Sequence, residues 1–259
     1  TLAEKNLIYN TSECDQITEL SSILSESRFS EVQSRLRTAG MRSGFCCIFY
    51  GAPGTGKTET VYQLARQTGR DIMRVDVDKI KSCWVGESEK NIKALFDRYR
   101  NICKNSKLAP ILLFNEADAV LGVRMEGAAR AIDKMENSIQ NIILQEMETL
   151  EGIMIATTNL TTNLDKAFER RFLYKIRFDK PSVESRAKIW QTMLPDLSEH
   201  DAQTLASQFD LSGGEIENIA RKHSVNAILK GNDSIDVQEI INSCRHERLS
   251  QNNCPKIGF

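Results

Sequence analysis

The sequence FCCIFYGAPGTGKT, residues 45–58, joins an apolar run directly to a glycine-rich loop. The run at 45–50 has the length of a buried strand, and the loop at 51–58 has the spacing G-x-x-x-x-G-K-[ST]. Apolar residues at helical spacing, among them Val61 and Leu64, come next, so a helix is expected directly after the loop. A strand, a glycine-rich loop and a helix in this order predict a loop that binds the phosphates of a nucleoside triphosphate.

The residue types in this loop suit phosphate binding. Glycine has no Cβ, so the backbone N–H groups can turn inward around the phosphates. Lys57 would bring a positive charge to the β and γ phosphates, and Thr58 would offer its hydroxyl to Mg²⁺. The alternative is a chance match in an ordinary turn, and the flanking strand and helix argue against it. The predicted nucleotide-binding residues of the loop are Gly51, Ala52, Pro53, Gly54, Thr55, Gly56, Lys57, Thr58 and Glu59.

Apolar segments of strand length alternate with amphipathic helices through the first two thirds of the chain. This alternation predicts an α/β fold, a three-layer αβα domain with a five-stranded parallel sheet. After Pro181 the strands stop and four helices are expected, the third with a capping box formed by Ser212 and Glu215. The sequence therefore predicts an α/β domain at 1–180 and a small all-α lid domain at 181–259. The further predicted strands are 71–77, 110–114, 152–158 and 173–178, and the late helices are 182–194, 198–208, 213–230 and 236–248.

The composition excludes several classes of protein. A formal net charge of -1 gives no electrostatic reason to expect nucleic acid as a partner. No apolar run approaches the roughly 20 residues that span a bilayer, so no membrane partner is expected. The 7 cysteines lack the spacing of metal ligands, and Cys46 and Cys47 lie in an apolar strand, which suits the reducing cytoplasm. The chain begins at Thr1 without an initiator Met, so we expect a fragment that lacks an N-terminal part.

Several further motifs, taken together with the loop, resemble the AAA+ ATPases, and among them the group of protein remodellers, unfoldases and severing enzymes. The resemblance extends from about residue 7 to 248, and it implies ATP and Mg²⁺ as cofactors. One such motif alone would be a weak signal, whereas the ordered set is specific. The motifs are SCWVGESEKNIKALFD at 82–97, ATTN at 156–159, LDKAFERRF at 164–172 and LSGGEIENIARK at 211–222.

The resemblance assigns catalytic roles to four residues. Glu116 would polarise the attacking water, and Asn159 would orient that water against the γ-phosphate. Arg170 and Arg171 would reach the γ-phosphate of a neighbouring subunit, since a guanidinium matches the charge spread over phosphoryl oxygens. The alternative for this pair is a solvated helix end, where cations are favoured by the helix dipole. An arginine acting between subunits requires an oligomer, and the family implies a hexameric ring.

The resemblance also assigns two binding surfaces. Trp84, with Val85 beside it, would grip a polypeptide threaded through the ring; the alternative is that this aromatic residue belongs to the core. The adenine would be held near Leu7, Ile8 and Tyr9 and around Gly213 of the lid.

The stretch ILLFNEAD, residues 111–118, departs from the family pattern. The family usually has aspartate where this chain has Asn115, although a bacterial subgroup also carries asparagine there. The amide oxygen can accept a hydrogen bond from a metal-bound water but has no charge, so Thr58 and Asn115 form the predicted metal site. Loss of such support typically costs about 10–100-fold in metal affinity or activity. The prediction is a slow ATPase.

Three functions are compatible with this sequence. The first is an ATP-driven ring that remodels or threads a protein, favoured by Glu116, Asn159, the arginine pair and Trp84. The second is a nucleotide-dependent switch or assembly module with little hydrolysis, favoured by Asn115 and by Glu148 and Thr149, which replace a family Asp-Gly pair. The third is a DNA-handling protein, which the near-zero charge disfavours.

Overall fold

The structure of this protein is a computed structural model that describes residues 6–75, 77, 87–123, 131–231 and 235–247. These residues form two compact units. The first, which we call the sheet unit, contains residues 11–52 and 57–178, and the second, the helical unit, contains residues 6–10, 53–56 and 179–247. The predicted division into 1–180 and 181–259 stays a prediction.

The sheet unit is built on one parallel sheet of five strands, as predicted, and the strands lie in the order β2-β3-β4-β1-β5. Parallel strands need long crossovers, and the helices between the strands provide them. In the register, Phe45 pairs with Ile153, which also pairs with Ile111, so β1, β3 and β4 start level with one another. The first strand is one residue longer than predicted, the third, fourth and fifth are each one residue shorter, and the second covers four of the seven predicted residues. They are β1 Phe45–Gly51, β2 Ile72–Val75, β3 Ile111–Phe114, β4 Ile153–Thr158 and β5 Tyr174–Phe178.

Helices surround this sheet, and the first two of them were not predicted. They are rich in Ser, Glu and Arg, and their buried residues are few: Ile17, Leu20 and Phe29, together with Glu13. So few buried apolar residues give a weak periodic signal. The described helices of the sheet unit are α1 Thr11–Ile23, α2 Glu26–Thr38, α3 Lys57–Thr68, α4 Glu87–Asn105, α5 Asp118–Leu121, α6 Ala131–Glu148 and α7 Lys166–Glu169.

The core of the sheet unit lies on both faces of the sheet, because every residue of β3 and β4 is buried. Phe96 of α4 stacks on Phe114 of β3 with 6.0 Å between the ring centroids. Burial raises the pKa of the Cys46 thiol to about 12, so this cysteine is an inert apolar residue, as the sequence indicated.

The helical unit contains the four predicted helices. Each starts at a side-chain cap, respectively Ser182, Ser198, Ser212 and Asp236, and Ser212 forms the predicted capping box with Glu215. The helices enclose a separate apolar core around Trp190, which is fully buried. Their bounds are α8 Val183–Met193, α9 Glu199–Gln208, α10 Gly213–Lys230 and α11 Val237–His246.

In the part of the chain that the structure describes, no helix combines the length and the apolar character needed to cross a membrane.

Candidate nucleotide site

The glycine-rich loop begins where β1 ends, and its backbone requires glycine at specific positions. A Cβ on Gly51 would lie 2.0 Å from the carbonyl oxygen of Phe178, so no other residue fits there. Gly56 has φ 93, a conformation that residues with a Cβ rarely adopt. The loop leads into the first turn of α3 at Lys57, so the positive end of a helix dipole faces the loop.

Lys57 is the buried cation of the site, with 7% of its surface exposed. Its Nζ donates to the carbonyl oxygens of Gly51 at 2.9 Å and Ala52 at 2.7 Å and to Oδ1 of Asn159 at 2.9 Å. Burial lowers the pKa of Lys57 to about 8, and the nearby carboxylates of Asp118 and Glu116 partly offset this effect. Lys57 is therefore mostly charged at neutral pH, and its proton is held less firmly than that of a solvated lysine.

Asn115 follows β3 and accepts hydrogen bonds from two threonines. The hydroxyl of Thr58 donates to its Oδ1 at 2.7 Å, and the hydroxyl of Thr157 donates to the same atom at 3.1 Å. Thr58 keeps its lone pairs for a ligand, because its proton is directed at Asn115. The structure thus brings together the two predicted metal-site residues.

These residues fit Mg²⁺ bound together with a nucleotide. The donors near the loop are oxygen atoms, which Mg²⁺ prefers. Among the described residues, no group of three or more His, Cys, Asp or Glu side chains could hold a metal ion by itself. The donor set therefore suits an ion that is carried largely by phosphate oxygens and water.

Glu116 has the most unusual backbone of the site. Its φ is 53, in the left-handed region that costs a residue with a side chain about 1–2 kcal/mol. Its N–H donates to the hydroxyl of Thr157 at 3.1 Å, which helps to hold this conformation. The side chain is exposed rather than packed. Strain of this kind at an exposed carboxylate is typical of functional residues.

Asp118 and Thr157 connect the ends of β3 and β4, and their structural roles were missed by the sequence analysis. Oδ1 of Asp118 accepts hydrogen bonds from the Thr158 hydroxyl at 2.5 Å and from the N–H of Asn159 at 3.0 Å. Because the carboxyl ends of parallel strands share one edge of the sheet, residues far apart in sequence meet here. The available signal was the pair of hydroxyl residues that ends one apolar strand and the acidic residues that closely follow the other.

The two candidate arginines differ in their surroundings. Arg171 is 21% exposed and forms an ion pair with Glu148, while its NH1 donates to the carbonyl oxygen of Ala167 at 2.8 Å. Arg170 is exposed and caps the C-terminal end of α7. Its guanidinium makes no hydrogen bond or ion pair within the described ranges.

The predicted adenine residues lie in the helical unit. Ile8 packs against the apolar core of that unit, and the carbonyl oxygen of Tyr9 accepts a hydrogen bond from Ser185 at 3.5 Å. Gly213 begins α10, and the N–H of the next residue, Gly214, donates to the carbonyl oxygen of Gly54 at 2.8 Å.

The other predicted site residues are Glu59, at the end of the phosphate-binding motif, and the pore residues Trp84 and Val85. Glu59, in the first turn of α3, forms an ion pair with Arg66 at 2.7 Å. Trp84 and Val85, the predicted pore residues, lie outside the described residues.

The parallel sheet, the glycine loop and the buried lysine define a P-loop nucleotide-binding protein. Comparisons with known proteins narrow this class. Residues 47–180 match the family described as "ATPase family associated with various cellular activities (AAA)". This match spans half of the chain, so the protein belongs to the AAA family, as the resemblance predicted. Residues 182–249 match a second family, described as "Contractile injection system ATPase helical domain".

Individual relatives agree with this assignment. Protein CdcH of Halobacterium salinarum is 30% identical over 199 residues, which cover 73% of this chain and 26% of that protein. Fidgetin-like protein 1 of Caenorhabditis elegans is 28% identical over 73% of this chain and 32% of its own length. The "26S proteasome regulatory subunit 7 homolog" of Saccharomyces cerevisiae is 31% identical over 61% of this chain and 34% of its own length. The chain thus spans about a quarter to a third of these relatives.

Proposed function

We propose that this protein binds ATP with Mg²⁺ and hydrolyses it to ADP and phosphate. The observation that carries the proposal is Glu116, an exposed carboxylate held at φ 53 directly after β3. Membership in the AAA family supports the ATPase reaction. The Thr157 hydroxyl accepts from the backbone N–H of Glu116 and donates to Oδ1 of Asn115, so it links the backbone of Glu116 to the proposed metal-site residue.

Each side chain has a separate task in the proposed reaction. Lys57 places its ammonium against the phosphate oxygens and offsets their charge. Glu116 accepts a proton from the attacking water, and the amide of Asn159 orients that water. Asn159 is held for this purpose by Asp118 through its backbone N–H. Mg²⁺, when bound, neutralises further charge on the phosphates.

Asn115 makes the proposed enzyme slow rather than inactive. Its Oδ1 accepts the Thr58 hydrogen bond, as a carboxylate oxygen would. What the amide lacks is the negative charge that supports Mg²⁺, and such support is worth about 10–100-fold. A general base is worth about 10²–10⁴-fold, so retaining Glu116 matters more than losing the aspartate.

The test compares phosphate release by the parent and by Glu116→Gln in the presence of Mg²⁺. The variant should lose about 10²–10⁴-fold in rate because glutamine cannot accept the proton. ATP binding, measured by calorimetry, should be unchanged. Equal rates for the two proteins would contradict hydrolysis, and absence of ATP binding by the parent would contradict the proposal as a whole.

A second candidate is a nucleotide-dependent switch, in which ATP binding orders an assembly with little turnover. The uncharged Asn115 favours it, and so does the ion pair of Glu148 with Arg171, which ties a proposed catalytic arginine to its own subunit. Phosphate release from the parent that stays at the level of Glu116→Gln, together with ATP-dependent assembly, would select the switch.

The proposed assembly is a ring of this chain, a hexamer by family resemblance, in the cytoplasm. Trp84 would grip a protein in the central pore. The match of residues 182–249 to a contractile injection system ATPase domain supports a protein partner from such a system. In cells that carry one, we expect Trp84→Ala to reduce the number of assembled injection particles seen by electron microscopy, while ATP binding persists. A switch without a pore function would keep the particle number unchanged.

A further inference from the structure

We infer that a cavity at the amino edge of the sheet binds a small organic anion, a carboxylate or a phosphate ester, and that the buried guanidinium of Arg70 is its main binding group. The cavity lies before the amino ends of β2, β3 and β4, whereas the candidate nucleotide site follows the carboxyl ends of β1, β3 and β4. The inference therefore does not depend on ATP binding or hydrolysis.

The cavity has the size of a small-molecule site. Its volume is about 410 Å³, and all the residues that line it belong to the sheet unit. Its walls are α2, the C-terminal end of α4 and the segments that lead into β2, β3 and β4. Sites that hold small molecules usually measure roughly 300–1,000 Å³. Apolar residues such as Leu108 and Leu150 line part of the cavity, so it suits a ligand with an apolar body.

Positive charge predominates around this cavity. Five basic and two acidic residues line it, and three of the basic residues have carboxylate partners. Within the described ranges, Arg70 and Lys104 form no ion pair, so the cavity keeps two cations without a carboxylate partner. The observed pairs are Arg100 with Glu146 and Asp97, Arg37 with Glu151 at 3.6 Å, and Lys107 with Glu26 at 3.1 Å.

Arg70 is the more informative of these two cations, because its charge is buried. Only 5% of its surface is exposed. Its Nε and NH1 donate to the carbonyl oxygens of Leu24 and Ala109, whereas NH2 makes no hydrogen bond with the described residues and is not fully enclosed. Arginine is rarely buried this deeply unless it is paired, since removing a charge from water is costly. The cavity thus contains a buried cation with one nitrogen left for a ligand.

A bound anion would supply the counter-charge that Arg70 lacks. Burial lowers the pKa of Arg70, yet a guanidinium stays charged at neutral pH. A carboxylate or phosphate oxygen that accepts from NH2 would form a charge-assisted hydrogen bond there. Lys104 is exposed, so it adds a second positive charge where the cavity opens to solvent.

The experiment measures Tm of the complete chain, without nucleotide and at fixed ionic strength, in the presence of benzoate, phenyl phosphate or benzamide. At about ten times its dissociation constant, an anion that binds only the folded protein should raise Tm by about 3–5 °C. Benzamide, which has the same ring but no charge, should leave Tm unchanged. A larger shift with benzoate would identify a carboxylate ligand, and a larger shift with phenyl phosphate would identify a phosphate ester.

Three variants locate the binding within the cavity. Ser30→Trp fills space beside α2, Lys104→Glu reverses the charge at the opening, and Arg70→Gln removes the buried charge. Each should weaken anion binding about tenfold or more, measured against its own unliganded form. If Arg70→Gln does not fold, the other two variants still make the test. Lys93→Glu, the same charge reversal at an exposed position of α4 outside the cavity, is the matched control and should bind like the parent.

Four results would overturn the inference. They are no Tm shift with either anion, an equal shift with benzamide, a shift that persists in both Ser30→Trp and Lys104→Glu, and equal weakening by Lys93→Glu and Lys104→Glu. The third result would place the anion elsewhere, including the phosphate loop, and the fourth would mean that only net charge matters. Because these measurements contain no ATP, a failure of anion binding would leave the proposed hydrolysis standing, and a failure of hydrolysis would leave this site standing.

Discussion

At the carboxyl edge of the sheet, Lys57 is desolvated and Glu116 has a strained backbone, whereas at the amino edge the buried side chains of Tyr99 and Arg70 are hydrogen-bonded to backbone groups. There the hydroxyl of Tyr99 has two carbonyl oxygens within reach of its single proton, Pro110 at 2.8 Å and Ile153 at 3.0 Å, and it accepts from the N–H of Ile153 at 2.8 Å. The two edges belong to the same strands, so the difference lies in the residues that follow or precede them.

Arg70 completes the contrast with Lys57. It is 5% exposed and donates to the carbonyl oxygens of Leu24 at 3.0 Å and Ala109 at 2.6 Å, and its guanidinium lies 4.6 Å from the ring centroid of Phe29. Both Lys57 and Arg70 are buried cations bonded to carbonyl oxygens. Arg70 connects the segment between α1 and α2, helix α2 itself and the segment before β3, whereas two of the three hydrogen bonds of Lys57 go to Gly51 and Ala52 at the start of the glycine-rich loop. The comparison indicates that the buried charge of Arg70 stabilises the amino edge, whereas the buried charge of Lys57 lies beside the proposed phosphate site at the carboxyl edge.

The largest effect on stability should come from Arg70→Ala. The loss of two charged hydrogen bonds and of the stacking on Phe29 should lower the free energy of unfolding by about 3 kcal/mol. Urea unfolding measures this change, with Arg74→Ala, an exposed cation on β2, as the control. ATP affinity of the folded protein should be retained, and loss of affinity at unchanged stability would break the proposed division between the edges.

Asn115→Asp should act in the opposite way, at the carboxyl edge. It restores a negative charge beside Thr58 and should strengthen Mg²⁺-dependent ATP binding by about 10–100-fold. Titration of Mg²⁺ at fixed ATP measures the effect, and binding without Mg²⁺ is the control. An unchanged Mg²⁺ requirement would show that the amide already supplies what the site needs.

The pH dependence of ATP binding should report the pKa of Lys57. That pKa lies at about 8, below the ordinary 10.5, so the phosphate-binding charge is present at neutral pH and is lost as the pH rises through about 8. Affinity should fall roughly five- to tenfold between about pH 7.5 and 9. Lys57→Arg keeps its charge over this range, so its affinity should not change with pH. A parent with the same flat profile would contradict a desolvated lysine.

The smallest predicted effect concerns the strain at Glu116. Glycine adopts φ 53 without the steric cost that alanine has there, so Glu116→Gly should be more stable than Glu116→Ala by roughly 0.5–1 kcal/mol. Neither variant has the carboxylate, so the difference between their free energies of unfolding, measured by chemical denaturation, reports the cost of the backbone conformation. A more stable alanine variant would mean that the left-handed conformation is not imposed by the surrounding structure.

The sequence was most informative where structure is local. A loop that needs glycine at positive φ, and a helix that begins at a capping box, show their requirements in consecutive residues. The turn after β1 at 51–56 and the capping box at 212–215 therefore lie where the sequence placed them, whereas nucleotide binding by the loop stays a prediction. The sheet followed from apolar runs of strand length. By contrast, α1 and α2 bury few residues and gave too weak a pattern.

The details of the site depend on contacts between distant segments. Thr157 bridges Asn115 and the backbone of Glu116 from 41 or 42 residues away, and Glu148 meets Arg171 from 23 residues away. Neither pairing has a signature in the spacing of residues, because it depends on which strand ends and helix ends become neighbours after folding. Residue types near the site could be predicted, whereas their hydrogen-bond partners could not.

The four loop residues 53–56 cluster with the helical unit rather than with the strand that precedes them. The N–H of Gly214 donates to the carbonyl oxygen of Gly54, and a side chain on Gly54 would collide with the hydroxyl of Ser212. Residues 53–56 therefore pack closely against the start of α10. Truncating the chain after residue 180 would therefore remove the packing partners of half the phosphate loop. A shortened protein of that kind, although it would keep the complete glycine motif, should be a poor nucleotide binder.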